Sequence, residues 1–249
     1  MREIKIFTML LFFVTAARAD FPRQEALLEK LRQNSSIQIT DVQVMPAIRT
    51  NTADFNLVLL VENASLWSAG STLRNQVNRA SEIFFSQCGI SLGPTLVVKV
   101  NLSPHAVQVL SDENFDPAGG PPELVIAAGG LTNDITTGIL VKDRTKGRDL
   151  ALAYNALAVT TIKASGRNWD SLLNTFWISD KYIGNSHVPQ SAASYLTLAH
   201  ETTHLIGNIG HIMMPKNLMS MSSEPKSKTG NLNSDQCKSI RTNLGLSPK

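Results

Sequence analysis

The sequence predicts an α+β protein: a mixed, twisted sheet flanked by helices, with an α/β-like N-terminal part and an irregular C-terminal part ending in a helix. Two segments carry this prediction. Residues 55–61, FNLVLLV, form an unbroken apolar run of strand length, which is typical of a strand covered on both faces. Residues 71–88 repeat apolar side chains at intervals of three and four and precede Gly89, which indicates a long amphipathic helix backing the sheet.

The remaining strands are predicted from alternation and from short apolar runs. They lie at residues 37–48, 96–102, 123–128 and 138–141, with further strand character at the end of residues 150–163. Residues 103–122 are rich in Pro, Gly and Asp, so we predict a long loop there. Residues 176–183 form either a strand or a lip of a cleft. Together these segments favour one sheet.

The chain closes with a short predicted helix at residues 234–244. Asn233 or Ser234 is placed to cap its first turn, and Gly245 is placed to end it.

The N-terminus is typical of a secretory signal peptide. Arg2 and Lys5 supply a positive start, residues 6–16 an apolar run, and residues 17–19 a small-residue cleavage site, Ala-Arg-Ala. The run is too short to span a bilayer, and no other apolar run approaches about 18 residues. We therefore expect a mature chain with no membrane span that is secreted, either extracellular or periplasmic.

Composition describes an ordinary globular protein. A chain of 249 residues with 43% hydrophobic and 17% charged residues is not a disordered one. The formal charge is +3, and removing residues 1–19 takes away three basic residues and one acidic residue, which leaves +1. This balance, with no basic run interleaved with aromatic residues, speaks against nucleic acid as a partner.

The two cysteines, Cys88 and Cys237, both belong to the mature chain. In an exported protein such a distant pair favours a single disulfide, and two buried free thiols are the alternative. A metal role is not expected, because neither has a cysteine or histidine nearby in the sequence.

Three of the five histidines lie in one short stretch, HETTHLIGNIGH. On a helix His200 and His204 are one turn apart, which is the spacing of two ligands on a tetrahedral zinc ion. Glu201 lies about 100° further round the helix, where it can take a proton from water without binding the metal. Gly207 is placed to end the helix in a left-handed turn, after which the chain can deliver His211 as a third ligand.

A surface helix with two solvated histidines is the alternative interpretation of this stretch. The helix, however, carries one mostly apolar stripe, with the histidines on the opposite side. The stripe consists of Tyr195, Leu198, Ala199, Thr202, Leu205 and Ile206. One face is therefore expected to meet the core and the other to form the floor of a cleft.

The motif His-Glu-x-x-His, followed by Gly207, His211 and the turn Asn217-Leu218-Met219, resembles the metzincin clan of zinc metallopeptidases. The resemblance implies a zincin-like fold and a secreted zinc-dependent endopeptidase that acts on a protein or peptide. It also implies a cleft whose rim strand pairs with the substrate backbone, for which residues 150–163 are the candidate. We expect a monomer.

Carried over residue by residue, the resemblance implies a complete zinc site. The implied zinc ligands are His200, His204 and His211. Glu201 is the implied general base, and Met219 is the implied methionine in the turn beneath the metal.

The sequence departs from the family pattern at two places. Three residues, rather than two, separate Gly207 from His211, so Gly210 occupies the usual ligand position and cannot coordinate. Positive φ angles at Gly207 and Gly210 would let the loop absorb the extra residue. Met221 stands where the family has tyrosine, so no tyrosine joins the metal from this turn.

Two rival interpretations stay open. Glu224 follows His204 by twenty residues, the spacing at which another group of His-Glu-x-x-His peptidases supplies a glutamate ligand from a second helix. Such a helix would be interrupted by Gly207, Gly210, Pro215 and Pro225. The other rival is a catalytically inactive zinc-binding or partner-binding module on the same fold. Retention of Glu201 argues against it, because a structural zinc site needs no general base.

Other polar residues carry weaker patterns. His105 and His187 are predicted to lie in surface loops. A calcium site at Asp112, Glu113 and Asp116 lacks the twelve-residue calcium-loop pattern, and a solvated loop is favoured there.

The chain is thus predicted to have three parts. Residues 1–19 form the signal peptide, residues 20–36 a loosely held leader with a short helix at 24–33, and residues 37–249 the zinc metallopeptidase catalytic domain.

Overall fold

A six-stranded mixed sheet forms the centre of the protein in a computed structural model, which describes residues 21–48, 52–112, 135–144, 151–154, 174–180, 196–214, 216–220 and 230–247. The strands are β1 (Ile37–Met45), β2 (Phe55–Glu62), β3 (Leu92–Leu102), β4 (Ile135–Val141), β5 (Ala151–Tyr154) and β6 (Thr175–Ser179). The helices of the described ranges are α1 (Gln24–Arg32), α2 (Gly70–Cys88), α3 (Pro104–Leu110), α4 (Thr197–Gly207) and α5 (Ser234–Asn243), with a 3-10 turn at Leu66–Ser68.

The strands lie side by side in the order β1-β3-β2-β4-β6-β5. Neighbours from β3 to β6 pair in parallel, whereas the two edge strands, β1 and β5, pair antiparallel with their neighbours. The mixed sheet and the α+β class predicted from the sequence are confirmed.

Strand β2 is buried along its whole length, as its unbroken apolar run predicts. Successive side chains point to opposite faces, so the strand contributes to two separate cores. Val58 and Leu60 face a first layer that contains α1 and α3. Leu57 and Leu59 face a second layer that contains α2, α4 and α5. The histidine motif belongs to the second layer.

The N-terminal segment packs tightly on the first layer. Phe21, Leu27, Leu28 and Leu31 are buried against the sheet. The predicted helix is confirmed as α1, but the loose attachment expected of residues 20–36 is wrong. Because its apolar residues recur on one side, α1 covers a sheet face that would otherwise contact water.

A second difference lies after β3, where a long loop was predicted for residues 103–122. The chain instead forms α3, which Ser103 caps by accepting a hydrogen bond from the backbone N–H of Ala106 at 3.2 Å. Pro104 follows the cap, at the start of the helix where proline is tolerated. Ala106 and Leu110, one turn apart, are buried in the first layer. The prediction of a loop is therefore wrong for residues 104–110, while residues 113–122, which carry most of the turn-forming composition, lie outside the described residues.

Several strands have other bounds than predicted, and some predicted segments lie outside the described residues. β3 begins at Leu92, four residues before its predicted start. Of residues 176–183, for which a strand or a lip of a cleft was predicted, those up to Ser179 form strand β6, and residues 181–183 lie outside the described residues. β5 occupies the beginning of residues 150–163 at the sheet edge, while the end of that segment lies outside the described residues. The signal peptide and the strand predicted at residues 123–128 also lie outside them.

The second layer is held by the long helix α2, which ends at Cys88 and is followed by Gly89 in the left-handed conformation, as predicted. Cys88 is joined by a disulfide to Cys237 of α5, with the two Cα atoms 5.0 Å apart. The cysteine pair expected from the sequence is thus the bonded pair. The disulfide fastens α5 to the end of α2.

Charged side chains join the segments that follow the central parallel strands. Glu62, at the end of β2, is buried and forms an ion pair with Arg144, which follows β4. Asp180, which follows β6, accepts hydrogen bonds from the backbone N–H groups of Leu66 and Asp143, each at 2.7 Å. These bonds hold together the chain segments at the carboxyl ends of the central parallel strands.

None of the helices that the structure describes is long and apolar enough to cross a membrane.

Candidate metal centre

The histidine-bearing helix α4 is anchored at its start by another helix. No side chain of its own caps its first turn. Instead, Gln76 of α2, which is only 1% exposed, accepts a hydrogen bond from the backbone N–H of Leu198 at 3.3 Å. An N–H in the first turn of a helix has no partner within the helix, and a buried one cannot bond to water, so α2 supplies the missing cap.

The other end of α4 is anchored by α5. The hydroxyl of Ser239 donates to the carbonyl of Gly207 at 2.8 Å, and Nδ2 of Asn243 donates to the carbonyl of Ile206 at 2.9 Å. These are carbonyls that the helix itself leaves without partners. Helix α4 is thereby held between α2 and α5, because side chains of those two helices bond to backbone groups at its two ends.

The residue that reverses the chain after α4 is Asn208, with φ at 49°. The left-handed turn predicted at Gly207, and the positive φ predicted at Gly207 and Gly210, are wrong, because neither glycine is among the residues with positive φ. Asn208 can adopt this conformation at modest cost. Gly207 serves close packing: a Cβ there would lie 2.5 Å from the side chain of Ile209 and 2.9 Å from that of Ile240.

The three histidines converge on one point. The Nε2 atoms of His200 and His211 are 3.1 Å apart, and those of His204 and His211 are 3.2 Å apart. Two nitrogen ligands on a tetrahedral zinc ion, each about 2.0–2.1 Å from it, lie about 3.3 Å from each other. The cluster is the only group of three His, Cys, Asp or Glu side chains able to hold a metal ion in the part of the chain that the structure describes. The residues therefore fit a zinc ion.

The tautomers of the two helical histidines are set by backbone carbonyls. Nδ1 of His200 lies 2.6 Å from the carbonyl oxygen of Leu218, and Nδ1 of His204 lies 2.6 Å from that of Ile209. A carbonyl can only accept, so each Nδ1 carries the proton, and in the neutral ring each Nε2 then carries a lone pair. This is the arrangement that a metal-binding histidine requires.

The loop between α4 and the methionine turn (residues 217–219) brings the third histidine into place. The N–H of Ile212 donates to the carbonyl of Met219 at 2.9 Å, which ties the residue after His211 to the turn. Met219 is fully buried in the second layer, whereas His211 is exposed. The extra residue before His211 is accommodated, and the site opens to solvent on the side of that histidine.

Glu201 follows the first histidine and is 4% exposed. The other candidate polar residues lie elsewhere: His105 is exposed at the start of α3, and Asp112 is exposed just after that helix. Outside the described residues lie His187, Glu224, Met221, Glu113 and Asp116.

Sequence patterns miss the amides that support this site. Gln87 of α2 donates to the carbonyl of Gly230 at 2.8 Å and accepts from the N–H of Leu232 at 2.6 Å, so it holds the strand-like segment beside the methionine turn. The carbonyl of Asn231 in that segment accepts from the N–H of Leu218 at 2.7 Å. One available signal is Gln76, which stands in the mostly apolar stripe of α2, where a polar residue requires a partner.

No protein-family model matches the sequence, and no curated protein is significantly similar to it. Among solved structures, the chain is similar to the archaemetzincin of Methanopyrus kandleri. The two share 15% sequence identity with a TM-score of 0.49, and the aligned region covers 79% of this chain and 99% of that chain. The function therefore has to follow from the residues of the site.

Proposed function

We propose that this protein is a secreted zinc-dependent endopeptidase of the metzincin type. The single observation that carries the proposal is the convergence of three imidazole Nε2 atoms, with Glu201 next to the first of them on the same helix. Three protein ligands leave one position open, which is the arrangement of a catalytic rather than a structural zinc site.

His200, His204 and His211 would hold the ion. When bound, zinc acts as a Lewis acid on water and on the scissile carbonyl of a peptide. The exposure of His211 supports access of a substrate from its side of the cluster. The two carbonyls that accept from Nδ1 of His200 and His204 keep both rings in a ligating orientation before the metal arrives.

Glu201 takes the part of general base in this proposal. Its carboxylate removes a proton from the attacking water and then donates it to the amine that leaves. The residue is 4% exposed, and burial of a carboxylate beside a cation suits it to proton transfer near neutral pH. A zinc site that only stabilised the fold would have no use for such a group.

Substitution Glu201→Gln tests this role. Glutamine is of the same size but cannot accept the proton, so we expect casein hydrolysis to fall by at least about 100-fold while one zinc per chain stays bound. Thr203→Val is a matched control in the same helix, since its hydroxyl bonds back to the carbonyl of Ala199 at 2.7 Å. Substantial turnover by Glu201→Gln would contradict the assignment of the base.

The alternative, an inactive zinc-binding or partner-binding module, predicts another result. Such a protein would bind one zinc per chain and show no hydrolysis in the wild type. Measuring zinc content and casein hydrolysis on the same purified sample separates the two functions.

We extend the proposal to substrate binding at β5. This edge strand lies beside α4 and has one side free of strand partners in the described sheet, where an extended peptide can add as a further strand. A protein or peptide substrate would then lie next to the histidine cluster.

Export is the last part of the proposal, and it rests on the pattern of residues 1–19. We expect the mature chain to begin at Asp20 and to be recovered outside the cell or in a periplasm. N-terminal sequencing of the protein from its host decides this, and an intact residue 1 in the active protein would contradict it.

A further inference from the structure

One peptide unit of the methionine turn is held at both of its polar ends. Its carbonyl, from Leu218, accepts from Nδ1 of His200 at 2.6 Å. Its N–H, from Met219, donates to Oδ1 of Asn217 at 2.8 Å. A peptide unit is planar, so a bond that fixes the direction of the N–H also fixes the direction of the carbonyl. The side chain of Asn217 therefore aims the carbonyl that orients His200.

The amide of Asn217 can do this only if its oxygen, not its nitrogen, faces Met219. That choice is made by Gln236 of α5. Nδ2 of Asn217 donates to Oε1 of Gln236 at 2.8 Å, and Nε2 of Gln236 donates to Oδ1 of Asn217 at 3.1 Å. Both side chains are 5% exposed, so water cannot replace these bonds. The two amides can only face each other in one relative orientation without opposing two donors.

The orientation of Gln236 is fixed in turn by the start of its helix. Its Oε1 also accepts from the backbone N–H of Asn233 at 2.9 Å, and its own N–H donates to Oδ1 of Asn233 at 2.8 Å. This is a capping box, in which the backbone donor decides where the oxygen of the glutamine must point. A continuous set of bonds thus runs from the first turn of α5 to the imidazole of His200.

We propose that Gln236 and Asn217 are positioning residues of the metal centre, which hold His200 with its proton on Nδ1 and its Nε2 lone pair directed at the metal. The inference rests on the proposed function only in taking the histidine cluster as a zinc site. Neither amide contacts the metal position. Their effect passes through the peptide unit between Leu218 and Met219.

Three variants test the proposal by zinc affinity, measured in competition with a chelator. Gln236→Met keeps the length of the side chain and removes both bonds to Asn217, and Asn217→Ala removes the acceptor for Met219. We expect each to weaken zinc binding by about 10–100-fold, as loss of a group that orients a metal ligand does. Gln236→Glu should weaken zinc binding likewise, because its carboxylate still accepts from Asn233 and from Nδ2 of Asn217 but sets a second acceptor oxygen against Oδ1 of Asn217.

Val58→Ala is the control for a general loss of stability. Val58 is fully buried in the first layer, away from the methionine turn, so this variant loses stability without touching the amides. It should bind zinc like the wild type. The double variant Gln236→Met/Asn217→Ala should bind zinc no more than about twofold more weakly than the weaker single variant, since both act on one set of bonds.

A second measurement uses metal-free protein labelled with ¹⁵N-histidine, at a pH where the imidazoles are neutral. Long-range ¹H–¹⁵N spectra should show His200 as the Nδ1–H form in the wild type. In Gln236→Met the same ring should populate both tautomers. This readout distinguishes positioning from loss of fold, because Val58→Ala should leave the spectrum of His200 unchanged.

The proposal is overturned if Asn217→Ala and Gln236→Met bind zinc within about twofold of the wild type and keep the tautomer of His200. It is also overturned if Val58→Ala weakens zinc binding as much as they do. Should Gln236→Met not fold, Asn217→Ala decides, because it leaves the capping box of α5 intact. A wild-type protein that binds no zinc would contradict the proposed function instead, and the tautomer of His200 would still decide this inference.

Discussion

The two layers that cover the sheet differ in the side chains that their helices bury. In the first layer α1 and α3 pack through apolar side chains such as Leu31 and Leu110. In the second layer α2, α4 and α5 also pack through apolar side chains, but buried amides, including Gln76 and Gln236, lie among them. Each of these amides bonds to the helix or turn that carries the histidine site.

The difference between the layers shows what buried polar groups contribute. Contact between apolar side chains is nearly indifferent to direction, and its strength follows the area removed from water. A buried amide must find partners at defined angles, because leaving one unpaired costs about 1–3 kcal/mol. The first layer therefore supplies stability, while the amides of the second layer also set directions within the site.

The largest expected effect in the second layer comes from His211→Ala. Loss of one of three ligands should weaken zinc binding by at least about 100-fold and abolish hydrolysis. Glu224→Ala is the matched control and should change neither quantity. The reverse outcome, with Glu224 essential and His211 dispensable, would refute the metzincin assignment and favour the rival ligand scheme.

Removing the disulfide should reduce the stability of the folded chain as a whole. The bond joins residues 149 positions apart, and closure of so long a loop is worth about 4–5 kcal/mol in the chain-entropy model. We expect Cys88→Ala/Cys237→Ala to lose stability of this order in urea unfolding. Zinc affinity should fall as well, because α5 carries Gln236. A double variant that lost stability but bound zinc normally would show that α5 holds its position without the disulfide.

A matched change in the first layer should separate stability from zinc binding. Leu31 of α1 is fully buried, and Leu31→Ala should cost about 2–5 kcal/mol of unfolding free energy. Zinc affinity per folded molecule and the rate of casein hydrolysis should remain unchanged. If zinc affinity dropped along with stability, the distinction between the two layers would not hold.

Local sequence patterns predicted those parts of the site that depend on helical geometry. His200 and His204 are brought together by a spacing of four residues, which any helix converts into one face. The end of α2 at Gly89 and the capping of α5 by Asn233 were predictable for the same reason, since each depends on a few neighbouring residues.

Parts that depend on distant contacts were predicted less well. The predicted loop was extended back over residues 104–110, where α3 forms, because burial of Ala106 and Leu110 against the sheet is not visible in the local pattern. Two glycines were expected to take the positive φ that Asn208 takes. Gly207 instead packs closely against Ile209 and against Ile240 of α5, and this contact with a distant helix is not visible in the local pattern.

The sequence by itself determined the α+β class, the buried central strand, the cysteine pair and the residues that meet in the histidine cluster. Hydrophobic periodicity, which acts over a few residues, predicted the class and the strand, and the spacing of four predicted the meeting of His200 and His204. The cysteine pair followed from there being only two cysteines, and the place of His211 from the family resemblance. Only the tertiary structure decided the order of the strands, the docking of α1 and α3, and the partners of Gln76, Gln87 and Gln236. Those features depend on which distant groups can satisfy a buried donor or acceptor, and that is settled only when the whole chain is packed.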